Sequence, residues 1–261
     1  MSEVTAPYPV GSPCWVDLMV GDQQAALDFY GELFGWSGEV GPEEVGGYTV
    51  CTLRGRAVAG IGKAMAMEGQ PAPPTAWTTY LSVDDIDAAA AAAGANGGQV
   101  FMGPMDVPPN IGRLAVGVDP TGGVFGLWQP LDFFGAQLVN EPNTLCWNEL
   151  NSQDPQAASD FYARMLGVRF TPYKEMPGYF TMHAGGRTVA GAQGLDQFPE
   201  GTPSHWLSYF SVNDTDATVE QLTKAGGAVL QKPYEIPAGR MAVVRDPQGG
   251  VFGVIAMPPS A

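Results

Sequence analysis

Two short stretches carry side chains that could do chemistry. Trp15-x-Asp17-x-Met19 and Trp147-x-Glu149-x-Asn151 each alternate an aromatic ring, a carboxylate and a third side chain. In an extended strand, alternate residues share one face. Each stretch therefore predicts a ring beside an acid on a common surface. A flat or partly apolar molecule could stack on the ring and be oriented by the acid. A carboxylate removed from water has its pKa raised and can serve as a general acid or base. Asp17 and Glu149 are accordingly the candidate catalytic residues.

The same parity adds Thr78, Tyr80 and Ser82 to the first surface, and Leu207, Tyr209 and Ser211 to the second. Two arginines, Arg113 and Arg240, have two readings. They could pair with Asp17 and Glu149 as structural ion pairs, which are costly to break when buried. They could instead hold a substrate anion, since a planar guanidinium suits a carboxylate. Trp15 and Trp147 read either as ligand-stacking walls or as core residues. The Pro- and Gly-rich stretch Met65 to Thr75 reads as a connector or a lid over the first cavity.

These residues recur because the chain is one unit written twice. Cys14-Trp15, Leu18, Asp22, Gln24-Ala25-Ala26 and Asp28-Phe29-Tyr30 match Cys146-Trp147, Leu150, Asp154, Gln156-Ala157-Ala158 and Asp160-Phe161-Tyr162 at one constant offset. Trp77, Tyr80 and Ser82-Val83 match Trp206, Tyr209 and Ser211-Val212. Asp119-Pro-x-Gly-Gly-Val-Phe-Gly126 matches Asp246-Pro-x-Gly-Gly-Val-Phe-Gly253. Such internal repetition decides the architecture. It predicts a first domain over residues 11–130, a linker over 131–143 and a second domain over 144–258.

Each domain divides again. Trp15 to Val20 reads as a strand. Asp22 caps a helix, because its carboxylate can accept from the free amides of the first turn. Leu27, Tyr30, Leu33 and Phe34 form that helix's buried stripe, and Gly35 ends it. Three strands are expected next, near Trp36, over Tyr48 to Leu53 and over Ala57 to Gly62. Trp77 to Val83 restarts the order, Asp85 caps an alanine-rich helix ending at Gly94, and three more strands follow. Asp-Pro-x-Gly is turn chemistry before the last strand. The unit is β-α-β-β-β, four times in the chain.

The net charge of −15 makes phosphate backbones and anionic membrane surfaces poor partners. Three cysteines without a Cys-x-x-Cys pair give neither a disulfide framework nor a thiolate zinc site. Cys14 and Cys146 read as matching core positions. The opening Met-Ser-Glu-Val-Thr-Ala-Pro has no basic and apolar leader, and no apolar run nears the roughly 20 residues that span a bilayer. A cytoplasmic protein is expected, and a homodimer is left open.

The four-module order, the Asp-capped helices with Phe-Tyr, the Val83-Asp84-Asp85 step and the Asp-Pro-x-Gly turns resemble the vicinal-oxygen-chelate superfamily. That superfamily includes glyoxalases, bleomycin-resistance proteins and extradiol dioxygenases. The resemblance runs from about Gly11 to Pro258 and is nearest to two-domain actinobacterial members, some described as hydroxylases. It implies an α+β fold of tandem domains. In each, two modules curl a mixed sheet around a cavity, with the helices outside.

The resemblance also implies where a divalent metal would be held. The first-strand ligand position falls on Trp15 and Trp147, and the fifth-strand position on Thr78 and Leu207. The fourth-strand position falls near Gly60, or Gly191 and Ala192, and the last-strand position on Gly126 and Gly253. None of these is an ordinary metal ligand. The chain's two histidines, His183 and His205, fall out of register and read as surface or capping residues. No metal and no cofactor is therefore expected, with Gly126 and Gly253 leaving floor space in the cavities.

The expected partner is a small organic molecule, contacted by Trp15, Met19, Thr78, Tyr80, Arg113 and Gly126, or by Trp147, Asn151, Tyr209, Arg240 and Gly253. Three functions stay open: an enzyme, including hydroxylase or lyase types, acting without the family's metal; a sequestering protein; and a structural pseudo-enzyme.

Overall fold

The computed structural model describes residues 3–43, 46–64 and 73–258. Most of the candidate lid, residues 65–72, lies outside them.

The first half contains β1 (Pro13–Val20), α1 (Gln23–Phe34), β2 (Thr49–Leu53), β3 (Arg56–Lys63), β4 (Ala76–Ser82), α2 (Ile86–Ala95), β5 (Gln99–Val107), β6 (Gly112–Val118) and β7 (Val124–Pro130). Its seven strands form one sheet in the order β2-β3-β1-β4-β7-β6-β5. The second half contains β8 (Leu145–Ser152), α3 (Pro155–Leu166), β9 (Arg169–Pro172), β10 (Tyr179–Ala184), β11 (Arg187–Gly194), β12 (His205–Ser211), α4 (Thr215–Lys224), β13 (Ala228–Ile236), β14 (Gly239–Arg245) and β15 (Val251–Ala256). Its eight strands run β13-β14-β15-β12-β8-β11-β10-β9. Each sheet is mixed: β1 is parallel to β3 and antiparallel to β4, and β4 is parallel to β7. This is the expected α+β arrangement of paired modules in open, curled sheets.

Local chemistry places the helices. Asp22 Oδ1 accepts from the Ala25 amide at 3.1 Å, and Gly35 closes α1 in the left-handed region at φ 71°. Asp85, Asp154 and Asp214 cap the other three helices in the same way. Helix α2 runs one residue past Gly94, and Asn96 caps it. The strand expected near Trp36 is reduced to one bridge between Ser37 and Thr52. There the chain is anchored by a side chain instead, the Trp36 indole donating to the Asn143 carbonyl at 2.8 Å.

The helix-bearing faces of the two sheets pack against each other. Helix α1 and the buried face of β1 form one core with Phe210, Leu222, Val244 and Phe252 of the second half. Leu81, Ile86, Phe125 and Leu127 form another with Leu150, Phe161 and Tyr162. Each first-half module thus buries its helix against a module of the other half. Polar residues on the inner face of β8 belong to this contact. Asn148 Oδ1 accepts from Thr79 Oγ1 at 2.9 Å, and Ser152 Oγ donates to Thr121 Oγ1 at 2.9 Å.

Two reciprocal bonds tie the halves. The Tyr30 hydroxyl donates to Asp246 Oδ2 at 2.8 Å, and Tyr162 to Asp119 Oδ2 at 2.9 Å. The second oxygen of each aspartate accepts the amides of its own turn. The Trp77 and Trp206 indoles donate to the two tyrosine oxygens. The Phe-Tyr and Asp-Pro-x-Gly motifs are therefore one device, split across the two halves. Tyr162→Phe leaves Asp119 Oδ2 and the Trp206 N–H without their partner, and is expected to cost about 2 kcal/mol. Urea unfolding measures this, and an unchanged midpoint would refute it.

Candidate functional site

The concave faces carry the candidate residues. Trp15 and Tyr80 lie in a core separate from the helix core, as parity requires. The segment after β7 contributes here: Phe133 meets the Trp15 ring edge-on at 5.0 Å, and the Tyr8 hydroxyl donates to the Ala136 carbonyl at 2.6 Å. Residues 131–139 thus pack on the first sheet rather than hanging between domains.

Asp17 is 3% exposed. It pairs in register with Gly60 on one side and Thr78 on the other. Burial raises its pKa from 3.8 to about 7, against hydrogen bonding from Tyr80, Tyr48 and Thr78. Of these the Tyr48 hydroxyl makes the well-formed bond, 3.2 Å to Oδ2. Oδ1 has no hydrogen-bond partner among the described residues. The Trp15 indole donates to the Tyr48 oxygen at 2.8 Å. Indole, phenol and carboxyl thus form a chain, and both Tyr48 and Tyr80 are held protonated, first by burial and then by the nearby Asp17.

The second copy repeats the arrangement. The Trp147 indole donates to the Tyr179 oxygen at 3.0 Å. Glu149 Oε1 accepts from Tyr209 at 3.0 Å and from Gln193 Nε2 at 3.0 Å. Burial raises the Glu149 pKa, with Tyr179, Tyr209, Gln193 and Asn151 opposing. Gln193 Nε2 also donates to Asn151 Oδ1 at 3.0 Å. The matching layer in the first copy is apolar, Met19 paired with Gly62 and Ala76.

Sequence reasoning missed Tyr48 and Tyr179. The signal was available, since each tyrosine stands twelve residues before a glycine, Gly60 and Gly191. A Cβ at Gly60 would come within 1.8 Å of the Tyr48 hydroxyl oxygen, and one at Gly191 within 1.8 Å of the Tyr179 oxygen. These glycines exist so that the phenols can cross them.

Two expectations are corrected. Gly126 and Gly253 leave no floor space: a Cβ there would meet the Tyr80 or Tyr209 ring at 2.2 or 2.1 Å. The arginines do not reach the carboxylates. Arg113 pairs with Asp87 at 2.6 Å and Asp106 at 2.9 Å, and Arg240 pairs with Asp216 and Glu235. Leu114 belongs to the Trp15 cluster, as Met241 does to the Tyr209 cluster. Strand alternation therefore turns Arg113 and Arg240 to the opposite face, toward the first turns of α2 and α4. Both are removed from the ligand-binding set.

The family's metal does not fit these residues. Two of its four side-chain positions are glycines whose space is taken by tyrosines, and the others are Trp15 and Thr78, or Trp147 and Leu207. Among the described residues no three His, Cys, Asp or Glu side chains come together. The cysteines are unpaired. The Cys14 and Cys146 thiols donate to the Tyr80 and Tyr209 carbonyls, and burial pushes both thiols' pKa up. Cys14 is the buried core residue expected, while Cys146 is half-buried beside the Tyr209 cluster. A surface groove of about 380 Å³, lined by Ala25, Phe29, Pro247 and Gln248, lies on the helix side and contains neither carboxylate. No helix among the described residues is long and apolar enough to cross a membrane.

Known proteins agree with this architecture. The chain is 41% identical over 257 residues, 97% of both chains, to "Putative glyoxylase CFP32" of Mycobacterium tuberculosis (strain CDC 1551 / Oshkosh). It is 36% identical over 263 residues to "Anthracycline biosynthesis protein DnrV" of Streptomyces peucetius, covering 96% of this chain and 94% of that one. Its fold matches the Mn(II)-bound glyoxalase from Novosphingobium aromaticivorans with a TM-score of 0.66 at 17% identity, over 95% of this chain and 82% of that one. The family model for the Glyoxalase/Bleomycin resistance protein/Dioxygenase superfamily matches twice, over residues 14–125 and 137–253. With two matched copies and relatives aligned along nearly its whole length, the chain belongs to that superfamily.

Proposed function

We propose that this protein takes a small organic molecule onto its concave faces and acts on it by acid–base chemistry, with a buried carboxyl where its superfamily more often uses a metal. The observation that carries this reading is Asp17: a carboxyl 3% exposed, with Oδ1 unpartnered and no cation acting on it among the described residues. A buried polar atom left without a well-formed partner costs about 1–3 kcal/mol. A ligand carbonyl or hydroxyl meeting Oδ1 relieves that cost. Burial keeps the carboxyl protonated up to about pH 7, so it can give a proton to a ligand oxygen and take one back. The Trp15–Tyr48 chain fixes its orientation. Relatives named for glyoxylase activity and anthracycline biosynthesis are consistent with an organic metabolite as the molecule. Three unpaired cysteines support the cytoplasm as its compartment.

The test is a thermal-shift screen with aromatic ketones and quinones, followed by product analysis on Asp17→Asn and Glu149→Gln. The expected result is a ligand that raises Tm, is converted by the wild type, and still binds at least one variant that no longer converts it. Stoichiometric binding without conversion would replace catalysis by sequestration. A screen in which nothing binds would overturn the reading.

A further inference from the structure

The two copies share the carboxylate layer and differ in the layer beside it. In the first copy that layer is Gly62, Met19 and Ala76, side by side on β3, β1 and β4. In the second copy it is Gln193, Asn151 and His205, on β11, β8 and β12. The three side chains are joined. Gln193 Nε2 donates to Asn151 Oδ1 at 3.0 Å, which turns the Asn151 amide nitrogen toward His205. Asn151 is fully buried, and His205 is half-buried.

The His205 tautomer follows from its neighbours. Its Nδ1 lies 2.8 Å from the Pro203 carbonyl oxygen. A carbonyl only accepts, so Nδ1 carries the proton and Nε2 presents a lone pair. The Asn151 amide is 3.5 Å from Nε2, the outer limit of a hydrogen bond, so that lone pair is poorly used. His205 stands diagonally across from Glu149, whose direct partner on β12 is Leu207. Diagonal cross-strand neighbours are about 7–8 Å apart. That spacing seats one hydroxy-carbonyl unit between an imidazole and a carboxyl.

We propose that His205 is the specificity-determining residue of this face of the second sheet, its Nε2 accepting the hydroxyl hydrogen of a ligand whose neighbouring carbonyl meets the Glu149 carboxyl. The inference deepens the acid–base reading above and rests on it. Burial acts on both groups in the same sense, lowering the His205 pKa and raising that of Glu149 and so favouring the neutral form of each. The Trp147 ring supplies the apolar wall, so the ligand class is an aromatic hydroxy-ketone. The matching face of the first sheet, with Ala76 in the place of His205, has no such acceptor in that layer and does not select for the hydroxyl.

The test uses two probes that differ by one hydroxyl, 2-hydroxyacetophenone and acetophenone, titrated into the full chain by calorimetry. The wild type is expected to bind the hydroxylated probe at least fivefold more tightly. In His205→Ala that preference is lost. A second measurement needs no variant at the site. With only two histidines in the chain, His183→Ala assigns the imidazole carbon–proton signals. The hydroxylated probe is expected to shift the His205 signal and leave that of His183 in place. A preference that survives His205→Ala, or a His205 signal unmoved at saturation, overturns the inference. If Glu149→Gln still weakens both probes in that case, the acid–base reading stands alone. If neither probe binds the wild type, the inference falls and the acid–base reading is decided by the wider screen.

Discussion

Gly126→Ala is expected to destabilise the protein by roughly 3 kcal/mol, the upper end for overpacking a filled core. The added methyl would lie 2.2 Å from a Tyr80 ring carbon, far inside contact distance. Neither neighbour can yield easily. Gly126 is fixed in the parallel pairing of β7 with β4, directly beside Tyr80. The Tyr80 ring is 5% exposed and wedged among Trp15, Val116 and Trp128. A double-mutant cycle gives the decisive number. With Tyr80→Ala in place the clash is gone, and Gly126→Ala should then cost under about 1 kcal/mol, a coupling well above the level of independent sites. Urea denaturation of the four proteins measures it, and additive effects would show that the ring does not fill the glycine's space. Gly253→Ala, with Tyr209 as partner, should behave alike.

The second large effect is a pH dependence. Asp17 has a folded-state pKa of about 7 against 3.8 for the free group. The folded protein holds this proton more tightly than the unfolded chain, so the group's contribution is complete below about pH 4. It falls as the pH rises toward 7, and above that it is lost. The loss is roughly 4 kcal/mol at 1.36 kcal/mol per pH unit of difference. Asp17→Asn cannot ionise, so its stability should decline far less between pH 4 and 8. Exposed pairs such as Asp87–Arg113 push the other way, since Asp87 is held below its usual range. They are common to both proteins and cancel in the comparison. Parallel pH–stability curves for the two would refute the assignment.

What could be read from the sequence was local. The four aspartate caps and the Asp-Pro-x-Gly turns depend on neighbours a few residues apart, and they stand where expected; the β-α-β-β-β order holds in three modules and loses the strand near Trp36 in the first. Trp15, Asp17 and Met19 share a face because a strand has no other choice. Tyr48 was missed because it meets Asp17 across a sheet, 31 residues away, and the sign of it, a tyrosine twelve residues before a glycine in both copies, shows only when the copies are compared. The arginine reading failed for a different reason. Leu114 and Val116 flank alternate positions of β6 and are apolar, so Arg113 had to face the helices, and alternation already contained that answer. The contacts of Tyr30 and Tyr162 were partly legible. Both were readable as buried helix residues, yet the aspartates they bind belong to the other half of the chain.

That exchange of partners has a consequence during synthesis. The half made first carries α1 and α2 and the face they cover, and its proper cover is still unmade. At about 5–20 residues per second, the rest of the chain takes on the order of ten seconds or more to appear. Until then Phe34, Phe125 and Leu127 have no permanent neighbours from the second half, and the Asp119 turn lacks its tyrosine. The nascent first half is thus a species with an exposed apolar face, open to capture by a chaperone or by the same face of another nascent chain.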